Sequence, residues 1–185
     1  ASLPYPNLNL IHYMKTLIIA AHPHIAQSVV NKRWLDELAK HPDRFTVHRL
    51  YTAYPDGKID IAREQALVEA HGGIVFQFPV YWFNCPPLLK QWFDDVLTYG
   101  WAYGSTGKAL HGKEVAISAS LGAPASSYDR SGEYHYELHE LLRPFQAMSN
   151  MVGTRFVAPF FTAGALNLTD ADLEMRAEAY HVWLT

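Results

Sequence analysis

Residues 16–21 read TLIIAA, and residues 22–31 read HPHIAQSVVN. The first stretch is short and almost wholly apolar, the pattern of a strand covered on both faces in a parallel sheet. The second leads into an amphipathic segment. Val30, Trp34, Leu35 and Leu38 fall on one side, and Lys32, Arg33, Asp36 and Glu37 on the other. Ser28 stands where a helix cap belongs. Buried strand, polar loop and amphipathic helix form the opening unit of an α/β fold.

Outward from this unit the pattern repeats. FTVHRL at 45–50 alternates like a strand and runs into a turn with Pro55, Asp56 and Gly57. Residues 61–71 have helical periodicity, and GIVFQF at 73–78 is a second apolar strand. Pro86 and Pro87 open a helix whose apolar face carries Leu89, Trp92, Phe93 and Val96. EVAISAS at 114–120 is the next strand. Residues 136–151 read as a helix bent or split at Pro144. Residues 154–161 read as a strand with Pro159 near its end, and 170–184 as a helix capped by Thr169. Strand and helix alternate five times. Right-handed crossovers turn that order into a five-stranded parallel sheet with helices on both faces. The expectation is one domain, 15–185, after an extended tail at 1–14.

Bulk properties narrow the function. Nearly half of the 185 residues are apolar and 14% are aromatic, enough for a large core. The formal charge is −3 and no basic block occurs, which argues against nucleic acid or an anionic membrane as partner. The lone cysteine, Cys85, excludes an intrachain disulfide and suits a reducing, cytoplasmic setting. No apolar stretch nears the roughly 20 residues needed to cross a bilayer.

Ligands of open α/β sheets bind beyond the carboxyl ends of the strands, where strand order reverses. That singles out three loops. In the first, His22 lies at the strand tip, and Ser28, Val29, Val30 and Asn31 enter a helix N-terminus that favours an anion. With no GxGxxG and no P-loop lysine, the loop suits one phosphate. A plain N-cap is the alternative use of Ser28. His22 and His24 lack an evident third metal ligand, so no metal is expected. The second loop is Pro79, Val80, Tyr81, Trp82 and Phe83, then Asn84 and Cys85. Three aromatics in a row at a strand-to-helix turn suit a wall for a planar ring, or else an interface. Cys85 reads as a small buried residue. The third loop, Ser120, Leu121, Gly122 and Ala123, is mostly small, so backbone N–H groups could approach a ligand closely; a loop without ligand contacts is the alternative. Tyr128 follows it as a possible hydroxyl donor.

Together these features resemble a known family. AHP at 21–23, S-x-x-N at 28–31, LYTAYPDGKIDIAREQ at 50–65, FQFPVYWFNCPPLLKQWFDDVL at 76–97 and GWAYGSTGKALHGK at 100–113 carry the likeness. The chain resembles the short flavodoxin-like NAD(P)H:quinone oxidoreductases, and within them the ancillary flavoproteins of glutathione-gated potassium-efflux systems. The resemblance implies a flavodoxin-like fold and a homodimer that holds FMN, with FAD the less expected flavin. His22 and Ser28–Asn31 would surround the phosphate, 79–83 would line the flavin ring, and 120–123 would hold its polar edge. It further implies a ping-pong transfer of hydride from NAD(P)H to a quinone-like acceptor, assisted by Tyr128 and by a histidine that falls at Tyr134 or His135. The alternative it implies is a redox-sensing subunit of a potassium-efflux transporter. The chain departs from the family at Leu121 and Ala123, where relatives usually carry threonine and glycine, and at Tyr81, where many carry glutamine.

Overall fold

A computed structural model describes residues 14–185, so the tail expected at 1–14 falls almost entirely outside the described residues. The chain forms β1 (Thr16–Ala20), α1 (Val30–Leu38), β2 (Phe45–Arg49), α2 (Leu50–Ala53), α3 (Ile61–Glu69), β3 (Gly73–Pro79) and α4 (Pro87–Val96). It continues with β4 (Glu114–Ser120), α5 (Leu138–Leu141), α6 (Arg143–Val152), β5 (Arg155–Phe156), β6 (Phe160–Thr162) and α7 (Asp170–Trp183).

The sheet is parallel throughout, in the order β2-β1-β3-β4-β5, with β6 also on β4. The chain leaves β1 for β2 on one side and returns to β3 on the other, so strand order reverses between β1 and β3. Register levels the strand ends at this reversal: Ala20 pairs with Gln77, and Pro79 with Ser120.

Alternation along each strand divides the core in two. Leu17, Ile19, Phe76, Phe78, Ile117 and Ala119 face α4 and α6 through Leu89, Trp92, Phe93 and Phe145. Ile18, Ala20, Val75 and Ala116 face α1 and α7 through Trp34, Leu35, Ala177 and Tyr180. Both helical layers follow from the apolar stripes visible in the sequence.

Three elements differ from the sequence reading. Leu50 does not end β2 but begins a short helix, because its side chain turns into the α4-side core. The helix expected at 136–151 is two helices, α5 and α6. Pro144 cannot donate an intrahelical hydrogen bond, and it sits instead in the first turn of α6, where none is required. The last strand is interrupted at Val157, Ala158 and Pro159, since proline brings no N–H to the ladder. Thr169 caps α7 as expected: its hydroxyl accepts from Asp172 N–H while the Asp172 carboxylate accepts from Thr169 N–H.

Candidate functional site

The tips of β1, β3 and β4 carry the three loops. In the first, His24 N–H donates to His22 Nδ1 at 3.0 Å, so the ring proton resides on Nε2. Burial, and then the neighbouring His24, lower the His22 pKa, which leaves a neutral ring with one N–H to offer. Ser28 Oγ accepts from Asn31 N–H at 3.0 Å and from Lys32 N–H at 3.4 Å. Two incoming amides occupy the hydroxyl lone pairs, so its own proton points away from the helix. Val30 is buried and Val29 exposed; what they bring to an anion is backbone N–H at the start of α1.

Asn31 lies deeper than the other residues of this loop. Its side chain is 1% exposed and does not face the mouth of the loop. Asn31 Nδ2 donates to Ser120 Oγ at 2.8 Å, and its Oδ1 accepts from Gln77 Nε2 at 3.3 Å. The residue ties α1 to β3 and β4 beneath the loops.

The second loop is a tight hairpin. Tyr81 N–H donates to Asn84 C=O at 2.8 Å and Asn84 N–H to Tyr81 C=O at 3.1 Å. The two residues between them, Trp82 and Phe83, both have positive φ, +46° and +63°. That pattern belongs to turns that prefer asparagine and glycine; bulky aromatics there store strain. Trp82 stands out to solvent, 93% exposed, beside Phe83. Pro79 is buried at the end of β3, while Val80 N–H donates to Ser120 C=O at 2.8 Å and locks this loop to the third. Cys85 is buried and its thiol is pushed up to about 11 by desolvation, so it is no nucleophile at neutral pH.

In the third loop Leu121 turns inward. It is 1% exposed, its N–H donates to Thr162 C=O at 2.9 Å, and its C=O accepts from Ala165 N–H at 3.0 Å. Leu121 therefore belongs to the core. Gly122 is exposed and Ala123 half-buried. A Cβ on Gly122 would meet no protein atom closer than Leu166 Cδ1 at 3.9 Å, so the space beside it is open. The segment after this loop joins Phe83 in lining a cavity of about 440 Å³, through Tyr128, Tyr134, Tyr136 and Leu141. Tyr134 packs edge-on to Phe83 and to Tyr128, with ring centroids 5.0 and 5.1 Å away. Burial, and then Tyr134, raise the Tyr128 pKa, so its hydroxyl keeps its proton.

His135 lies on the surface beside this cavity's lining residue Tyr134. It is exposed, at φ +59°, with Nδ1 3.4 Å from Arg130 C=O. Tyr134, the other position open to the family histidine, is the one that lines the cavity. Gly132 sets this up: a Cβ there would lie 2.2 Å from Ser126 C=O, a distance no side chain tolerates, and the close turn lets Tyr134 N–H reach Ser127 C=O.

His22 and His24 gather no third metal ligand among the described residues. The trio that does gather, Glu37, His41 and His181, sits at the opposite end of the sheet, with the two imidazoles stacked at 4.0 Å.

The pattern of the family described as flavodoxin-like fold, Flavodoxin_2, matches residues 14–184. The chain belongs to that family. Among relatives of this flavodoxin-like domain, a Bacillus subtilis protein named uncharacterized NAD(P)H oxidoreductase YrkL is 51% identical over 89% of this chain and 94% of its own. The ancillary protein KefG of the glutathione-regulated potassium-efflux system of Cronobacter sakazakii is 40% identical over 92% of each chain. A crystal structure of general stress protein 14 from Treponema denticola, in complex with FMN, superposes with a TM-score of 0.88. It is 52% identical and the match covers 92% of this chain and 97% of that one. An NADPH-quinone reductase structure from P. pentosaceus gives 0.84, at 30% identity over 93% and 98%.

Sequence reasoning passed over the buried polar residues Gln77 and Tyr180 and the close turn at Gly132. Gln77 carried a signal, since a polar side chain within the apolar run GIVFQFP must find buried partners.

Proposed function

We propose that this flavodoxin-like domain binds FMN at the tips of β1, β3 and β4 and transfers a hydride from NAD(P)H to a planar, quinone-like acceptor. The observation that carries the reading is the donor set at the strand tips. The hydroxyls of Ser28 and Ser120, the Val29 and Val30 N–H groups that open α1 and the Nε2–H of His22 all lie at these tips. These are several donors and no cationic side chain, a set suited to a monophosphate on a larger neutral body. The FMN in the Treponema denticola relative, at 52% identity, supports the same reading.

Bound there, FMN would supply two-electron hydride chemistry. The chain supplies position and environment. His22, Ser28 and the α1 amides hold the phosphate. The Trp82–Phe83 hairpin and the N–H groups of Gly122 and Ala123 orient the ring system. The aromatic cavity offers a stacking surface with room for one planar ring at a time, so donor and acceptor take turns. Tyr128 keeps its proton and donates a hydrogen bond to negative charge as it develops.

The KefG relatives favour a second reading, that of a subunit reporting redox state to a potassium-efflux membrane protein. No helix among the described residues is long and apolar enough to cross a membrane, so the partner would supply the span. Anaerobic mixing of the purified flavoprotein with NADH or NADPH tests the main reading. Bleaching of the flavin, reversed by a benzoquinone, supports an oxidoreductase. Flavin that neither nucleotide reduces leaves the regulatory reading in possession.

A further inference from the structure

Gln77 is fully buried in β3, and its amide sits at the middle of a chain of hydrogen bonds. Gln77 Nε2 lies 3.2 Å from the backbone C=O of Asn31 and 3.3 Å from Asn31 Oδ1. A backbone carbonyl can only accept, so the nitrogen of Gln77 must face Asn31 and the oxygen must face the other way. There Tyr180 O–H donates to Gln77 Oε1 at 3.1 Å. Tyr180 has thereby spent its proton, and Ser118, with Oγ 3.0 Å away, must donate to it. At the other end Asn31 Oδ1 already receives from Gln77. Its Nδ2 must therefore face Ser120, to which it donates at 2.8 Å.

One acceptor-only atom thus fixes the direction of every bond from Ser118 to Ser120. All donors point toward the strand tips. Ser120 Oγ, 7% exposed at the end of β4, takes an incoming N–H and has no protein acceptor for its own proton among the described residues. That proton can go only toward the mouth of the site. Aligned bonds polarise one another, so the terminal donor is stronger than a lone serine.

We propose that Gln77 and Asn31 are positioning residues that make Ser120 an obligate hydrogen-bond donor to the bound flavin nucleotide. Neither touches the ligand; each acts through the serine. The inference rests on the FMN reading above. In a chain without this polarity Ser120 could turn its proton inward and present a lone pair to an anionic ligand.

The test is a double-mutant cycle read by the rate of FMN release from purified holoprotein, followed as flavin fluorescence returns after dilution. Ser120→Ala and Gln77→Met are each expected to speed release by about tenfold, the value of one hydrogen bond to a charged group. Ser120→Thr, which keeps the hydroxyl, should stay near the parent rate. The double variant should release FMN no faster than Ser120→Ala alone, because Gln77 has no route to the ligand once the hydroxyl is gone. Multiplied effects, about a hundredfold in the double variant, would mean that Gln77 only packs, and would overturn the proposal. So would a folded Gln77→Met protein with the parent rate. Should Gln77→Met fail to fold, Asn31→Leu serves in its place, since it removes the amide that donates to Ser120, with faster release expected beside Ser120 and no added effect beside Ser120→Ala. A parent protein that holds no FMN would overturn the flavoprotein reading itself, an outcome distinct from additive variants of a protein that does.

Discussion

Phe83 and Tyr134 meet edge to face, 5.0 Å between ring centroids, and so join the hairpin after β3 to the segment after β4. The contact closes one wall of the aromatic cavity and places Tyr128, packed on the far side of Tyr134, at its edge. Edge-to-face pairs of this kind add about 0.5–1.5 kcal/mol beyond the area they bury.

From this geometry Tyr128→Phe should bind FMN as the parent does and be reduced more slowly by NAD(P)H. The lost bond to developing charge corresponds to about tenfold to a hundredfold in rate. Because burial raises the phenol pKa, the parent rate should not fall between neutral pH and the ordinary tyrosine value near ~10. Stopped-flow reduction of both proteins across that range checks the rate and the profile. Equal rates would leave Tyr128 a packing residue.

The strained hairpin gives a prediction of opposite sign for stability and turnover. Trp82 is almost wholly exposed, so replacing it costs little burial, while asparagine tolerates its positive φ. Trp82→Asn should therefore raise unfolding stability by about 1 kcal/mol and slow flavin reduction. Urea unfolding and reduction kinetics on one preparation are sufficient. A destabilised variant would show that the indole makes contacts this arrangement lacks.

Glu64 offers a pH test remote from the site. It is fully buried; Tyr54 O–H and Trp92 Nε1–H donate to it at 2.6 and 2.8 Å, and His48 Nε2 lies 2.9 Å away. Burial alone would raise its pKa, but these partners outweigh it and hold the carboxyl below its usual value. A depressed folded-state pKa means stability that is complete above the unfolded value near ~4.3 and lost as pH falls through the folded one. Glu64→Gln turns an N–H toward a donor and should cost about 1–3 kcal/mol at pH 7. Its stability should also fall less steeply than the parent's below pH ~4.5. Parallel pH curves from urea unfolding would contradict this assignment.

Assembly can be tested without variants. Trp82 lies bare at the hairpin tip, and a groove of about 270 Å³ between α4 and α6 is lined by Cys85, Phe93, Leu97 and Met148. A two-fold partner would cover both and wall the cavity from outside. Light scattering at micromolar concentration should give a dimer mass, twice 20.9 kDa. A monomer would remove the second wall from the proposed site.

The fold was legible because each central strand is an apolar run and each long helix an apolar stripe; residues 16–20 and 30–38 already imply both layers. Short elements were not. Whether Leu50 ends a strand or begins a helix depends on a tertiary pocket, and Pro144 marked a break without saying which helix it would start. At the site, the three loops followed from topology, and Ser28 from its place before the helix. The part played by Asn31 was out of reach. Its partners Gln77 and Ser120 lie 46 and 89 residues away, and nothing local says that its amide turns inward. The choice between Tyr134 and His135 hung on the Gly132 turn and on a positive φ at His135, both products of the folded loop.

The most direct test of the account is the identity of the flavin released from the purified protein. The donor set at the strand tips fits a single phosphate, so heat-released cofactor should run as FMN on chromatography, in near one-to-one ratio with the chain. Recovery of FAD would contradict the phosphate assignment. A colourless protein that takes up neither flavin would contradict the account as a whole.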